Sequence, residues 1–218
     1  MRFRGALSLG GVLVGAVLFA GCSSGQFGGA PSALTAAVGG ALAASGGGEV
    51  ADVSNQGGPA AGVYAPGGAS LIRQPDGLRV RLSMPAPEPG TYAYPPPKTE
   101  GHPEIFTLWA FVFNYPDKCS PPSCGSDDLG VDKPARGGAY NAGGHPVSGS
   151  TLTFAGHVRV GETPFDHPVI TMAPLEAPST AEVHLAVAPH GGLDPASLPR
   201  ELRVPAGNST HWWVAIFP

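Results

Sequence analysis

Along residues 77–84 apolar and polar positions alternate: Leu78, Val80, Leu82 and Met84 fall on one side, Gly77, Arg79, Arg81 and Ser83 on the other. A repeat of two marks a β-strand with one wet face, and Pro85, Pro87, Pro89 and Gly90 end it. Residues 105–113 are apolar on both sides, with Phe106, Leu108, Ala110 and Val112 opposing Ile105, Trp109, Phe111 and Phe113. That pattern predicts a central strand covered above and below, closed by the turn Asn114-Tyr115-Pro116-Asp117. Further strands are predicted over 139–141, 151–160, 169–172, 181–188 and 210–217, punctuated by Gly143-Gly144, Ser148-Gly149, Gly161 and Gly191-Gly192. The segment 195–202 alone reads as helix, a turn or two long, with Asp194 as N-cap and Pro195 at the first position. In the last strand Trp212, Val214 and Ile216 fill one face and Trp213, Ala215 and Phe217 the other, which places it inside a sheet. Roughly seven to nine short strands without repeated helices predict an all-β domain over residues 71–218, an antiparallel β-sandwich with a small barrel as the alternative.

The N-terminal segment follows a different pattern. Arg2 and Arg4 precede a stretch, 5–48, that carries no charge, and its apolar part at 6–20 falls short of the roughly 20 residues that span a bilayer as a helix. It has the length of the apolar region of an export signal. The small residues Ala20 and Gly21 stand before Cys22, and the run Leu18-Phe19-Ala20-Gly21-Cys22 resembles the lipobox of bacterial lipoproteins, with Phe19 where an aliphatic residue is usual. The resemblance implies that residues 1–21 are a cleaved signal peptide and that Cys22 carries palmitate-type acyl chains. Membrane attachment would then need no transmembrane helix, and the domain would stand outside the cytoplasm. Residues 22–70 are mostly Gly, Ala, Ser, Pro and Gln, too poor in bulky apolar groups to offset the entropy of ordering them. They are expected to form a disordered tether of about 35–40 Å root-mean-square reach.

Composition narrows the functional classes. Only 13% of residues are charged, whereas Gly (33) and Pro (25) are abundant, a balance suited to strands and turns and not to long helices. Loss of Arg2 and Arg4 with the signal would take the net charge from -4 to -6. Phosphate backbones need clustered cations, so a nucleic-acid partner is not expected.

With Cys22 assigned to lipid, Cys119 and Cys124 remain, an even number in an oxidising compartment. They read as a disulfide, with metal binding as the rival that would need two further ligands. Asp127, Asp128 and Asp132 lack the spacing of a known calcium loop and read as solvated turn acids. Of seven histidines, His157, His184 and His190 are the candidates for a copper or zinc site across strands, which would support a metal-dependent redox or hydrolytic enzyme. No His-x-His, His-Glu-x-x-His, Gly-x-Ser-x-Gly or phosphate-binding glycine motif accompanies them, and no catalytic residue is assigned. The other function class is a binding or structural envelope module without a cofactor. Its candidate contacts are Trp212, Trp213 and Glu182, beside His184, and its partner would be an envelope protein or glycan of unknown identity.

One further resemblance rests on an ordered set of segments. These are Trp109-Ala110-Phe111-Val112-Phe113-Asn114-Tyr115-Pro116, Cys119, Cys124-Gly125, Asp128-Leu129, Gly144-His145, Phe154-Ala155-Gly156-His157, Gly161-Glu162-Thr163, Ala181-Glu182-Val183-His184-Leu185 and His190-Gly191. In this order they resemble a group of uncharacterised exported bacterial β-rich proteins. The resemblance implies one intact domain and supplies no catalytic residues.

Overall fold

The structure, a computed structural model, describes residues 48–56, 62–88, 103–121, 123–204 and 211–218. The expected signal peptide at 1–21, Cys22 and the expected tether up to residue 47 lie outside the described residues. The described residues form eight strands: β1 (Glu49–Gln56), β2 (Gly62–Gln74), β3 (Gly77–Pro85), β4 (Glu104–Phe113), β5 (Gly137–Pro146), β6 (Thr151–Arg159), β7 (Glu182–Gly192) and β8 (Trp212–Phe217). A single helical turn, α1 (Leu198–Glu201), precedes β8. Asp194 prepares that turn, accepting from the Ala196 N–H at 3.0 Å and from the Ser197 hydroxyl at 2.9 Å.

All eight strands belong to one sheet in the order β5-β4-β7-β8-β1-β2-β3-β6, and every neighbouring pair is antiparallel. The sheet curls until its two edge strands meet. At the seam a side chain on Gly156 of β6 would collide with the Ala142 carbonyl of β5, 2.7 Å from where a Cβ would stand, and His145 Nε2 of β5 lies 3.1 Å from the Thr153 carbonyl of β6. The fold is therefore all-β and antiparallel as expected, with the two facing halves joined into a nearly closed barrel. Alternation does the rest: Leu78, Leu82, Phe106, Leu108, Val183, Leu185 and Trp213 point inward and form one apolar core with the inward residues of the other strands.

Two expectations are corrected. Residues 49–56 and 62–70, assigned to the tether, form β1 and most of β2, so the folded unit includes at least Glu49 onward and does not start at Leu71. Composition misled because these strands contribute small residues. Val53, Ala65 and Ala69 are buried in the core, and β1 sits mid-sheet, where hydrogen bonds to both β8 and β2 hold it. The strand expected at 169–172 is not present. Instead the chain there passes over the lower end of the seam between β5 and β6: the Val131 N–H donates to the Thr171 carbonyl, the Ala173 N–H to Gly137 and the Gly161 N–H to Leu175. Leu175 and Ala173 are fully buried there, and Gly138 is required because the Ala173 carbonyl lies 2.1 Å from where its Cβ would be.

Two polar side chains lock the connections. Arg73 pairs with Glu49 at 2.6 Å and donates to the carbonyls of Ala181, Pro178 and Pro218, tying the first strand to the entry of β7 and to the C-terminus. Asn114, buried just past β4, donates its amide hydrogens to the carbonyls of Arg136 (2.7 Å) and Pro174 (2.9 Å). Its oxygen accepts from the N–H groups of Glu176 (2.7 Å) and Ala177 (3.2 Å). Arg136 is held in a left-handed backbone conformation (φ 50°) while its guanidinium grips Glu176 in a fork and reaches the Val131 carbonyl.

Replacing Asn114 by Ala would leave four partly buried backbone groups without their partner. The expected loss is roughly 3 kcal/mol, read by urea unfolding; a loss under about 1 kcal/mol would mean that something else holds these loops. Because β8 lies between β7 and β1, a chain ending before His211 should be insoluble, and a soluble, cooperatively melting one would contradict the sheet order.

Candidate functional site

The side of β4 that points away from the core carries Thr107, Trp109, Phe111 and Phe113, and it too must be kept from water. The chain after β4 does this by folding back across its own strand. Trp109, Phe113, Ala186, Ala188 and Trp212 form a second apolar cluster on the outside of the barrel with Cys124, Leu129 and Met172 from the covering segments. Phe165 adds an edge-on contact to Trp109 at 5.3 Å.

The covering loop is pinned twice. Cys119 and Cys124 are joined by a disulfide with a Cα separation of 4.9 Å. Asp128, expected to be a solvated acid, is buried, and its carboxylate accepts the N–H groups of Ser120 and Gly125, both at 2.9 Å. Carboxylate-to-amide bonds of this kind are among the stronger ones, and here they stiffen the loop on both sides of the bridge.

Between this loop and the exterior of β7 and β8 lies an open groove of about 360 Å³. Its floor is apolar: Phe111 and Trp212, whose rings pack at 6.3 Å, with Ala186, Val214 and Ile216 beside them. Ser120, Pro121, Cys124, Ser126 and Asp127 form the loop wall. Ile216 is 43% exposed, so the floor runs out onto the barrel surface.

The strands bring two polar side chains to the groove, His184 and Gln56. His184 Nε2 lies 2.6 Å from Glu182 Oε1, and the His184 ring meets Phe113 edge-on at 5.2 Å. Burial pushes the imidazole pKa below its usual 6.5, outweighing the Glu182 carboxylate that pulls it up. The ring is therefore neutral at pH 7, with its proton on Nε2 facing Glu182. With Nε2 engaged, Nδ1 is the ring nitrogen whose lone pair is left to accept.

The three histidines expected to share a metal do not converge. His184 and His190 stand six positions apart on β7, about 20 Å along a strand. His190 is buried against Thr107, 2.9 Å away, which in turn accepts from the Trp109 indole. His157 belongs to β6, opposite Arg79 of β3. Among the described residues no three His, Cys, Asp or Glu side chains are grouped to hold a metal ion. A copper or zinc site on this set is thus corrected by strand placement: same-strand separation and different strands keep the imidazoles apart.

The expected ligand contacts divide. Trp212 lines the groove, and Glu182 acts beneath it by fixing His184. Trp213 turns into the barrel, where it stacks on His211 at 4.8 Å and meets Phe106 edge-on at 5.9 Å, so it cannot touch a ligand in the groove. Sequence reading missed Phe111, Val214, Ile216 and the loop residues Ser120, Pro121 and Asp127. The available signal was the doubly apolar β4 followed at once by a disulfide loop, which called for a cover without naming the strands it would lie on. No protein family, curated protein or solved structure matches this chain.

Acid should act through the histidines. Burial lowers the pKa of both His184 and His211 in the folded state, so the unfolded chain binds more protons just below pH 6.5. The stability they permit is complete above about pH 6.5 and declines as pH falls through their folded values. Urea unfolding between pH 7.5 and 5.5 should reveal this decline, and His184→Gln should make it shallower; an unchanged slope would show that His184 does not carry it.

Proposed function

We propose that this chain is an exported, lipid-anchored binding module of the bacterial envelope, and that the groove beside the disulfide loop is its ligand site. The observation that carries the reading is the double pinning of the loop by Cys119–Cys124 and Asp128. A concave, mostly apolar site with a few placed polar groups is the usual form of a ligand pocket, and a wall held by covalent and ionic clamps is ready before the ligand arrives. The disulfide suits an oxidising compartment, in agreement with the address expected from Arg2, Arg4 and Cys22. Among the described residues no helix is long and apolar enough to cross a membrane; in this reading the attachment is through acyl chains on Cys22.

Mass spectrometry of the protein from a bacterial membrane fraction tests the address. The expected product begins at an acylated Cys22, while Cys22→Ala accumulates as a heavier precursor that still carries Met1. An unmodified thiol at position 22 in the wild-type protein would overturn the lipid anchor.

A further inference from the structure

The chemistry of the groove wall points to a class of ligand, an inference that rests on reading the groove as a ligand site. Among the described residues that line the groove, the only formal charges on the wall are carboxylates, with no Lys or Arg. Asp128 is occupied by Ser120 and Gly125. Asp127, three residues past the second cysteine, is exposed at the rim and meets no hydrogen-bond or ion-pair partner among the described residues. Of the two lysines nearest in sequence, Lys133 is not among the lining residues, and Lys118 is turned to Asp117 at 2.8 Å. His184 lines the groove with its Nε2 held by Glu182, so Nδ1 is the nitrogen it has left to accept a hydrogen bond.

We propose that the groove selects a small organic ammonium compound with an aromatic or branched apolar body. The body would lie on Phe111, Trp212 and Val214, with the ammonium group shared between His184 Nδ1 and the Asp127 carboxylate. A donor is needed because any ligand that covers the His184 lone pair without giving it a hydrogen leaves a polar atom desolvated and unpaired. A positive charge is favoured because an anion would be brought beside Asp127 with no cation among the described lining residues to receive it. The serine hydroxyls of the loop wall, at 120, 123 and 126, can turn their oxygens toward the same charge.

The test uses the full mature chain in phosphatidylcholine nanodiscs, with empty nanodiscs as blank and tryptophan fluorescence as readout. Three probes of similar body are compared: phenethylamine, 3-phenylpropionate and anisole. Phenethylamine is expected to give a saturable change that Trp212→Phe removes. The other two should bind at least about tenfold more weakly, and Asp127→Asn should narrow that gap. Equal or tighter binding of phenylpropionate or anisole would overturn the ammonium preference while leaving the groove a ligand site. No saturable change with any of the three would overturn both that preference and the reading of the groove as a ligand site.

Discussion

The architecture depends on one side chain meeting all its obligations at once. Asn114 has two hydrogens to donate and an oxygen with two lone pairs, and each is matched to a backbone group: Arg136, Pro174, Glu176 and Ala177. These four residues belong to two excursions from the barrel, one following β4 and one preceding β7. A barrel satisfies its own backbone through its ladders, but long excursions do not, and buried loops are rare for that reason. Asn114 supplies the missing partners at the point where both excursions pass the end of the sheet. The Arg136–Glu176 fork then closes the same junction from the solvent side.

From that junction the loops acquire fixed paths. One lays the disulfide segment across Trp109 and Trp212; the other runs beneath the seam and buries Leu175 in the core. The groove exists because the first loop covers only part of the outward apolar face. Phe113 and Trp109 are sealed, whereas Phe111, Val214 and Ile216 remain within reach of solvent. His184 gains its character from the same partial cover, being dry enough to stay neutral and open enough to present one nitrogen.

Much of this was legible in the chain, and unevenly. Strands whose large residues alternate, such as Leu78 to Met84, announce themselves, because a two-residue period is directly visible when the inward side chains are big. β1 and β2 were invisible for the opposite reason: Val53, Ala65 and Ala69 fill narrow parts of the barrel, and small residues among glycines look like linker. The stretch 169–172 erred the other way, being apolar without a strand neighbour to pair with; its hydrogen bonds go to loops and to the edge of β5. Trp212 and Trp213 were both visible as candidates, yet only sheet placement decides which of two consecutive tryptophans faces the groove. The histidine set failed since distance along and between strands is not readable from residue type. Asp128 went unrecognised as a loop clamp because a carboxylate in a Ser/Pro/Asp-rich turn gives no sign of which amides it will accept.

The position of β1 has a mechanical meaning. β1 enters the sheet at Glu49, flanked by β8 on one side and β2 on the other, with Arg73 clipping its first residue to neighbouring carbonyls. Tension applied through the residues before Glu49 would be directed along a strand with partners on both sides. To extract it, rows of hydrogen bonds must slide past one another together, whereas a strand at the margin of a sheet can be peeled one bond at a time. If the protein is anchored through the residues before Glu49, as proposed, the body could bear load along β1 without that strand being peeled away.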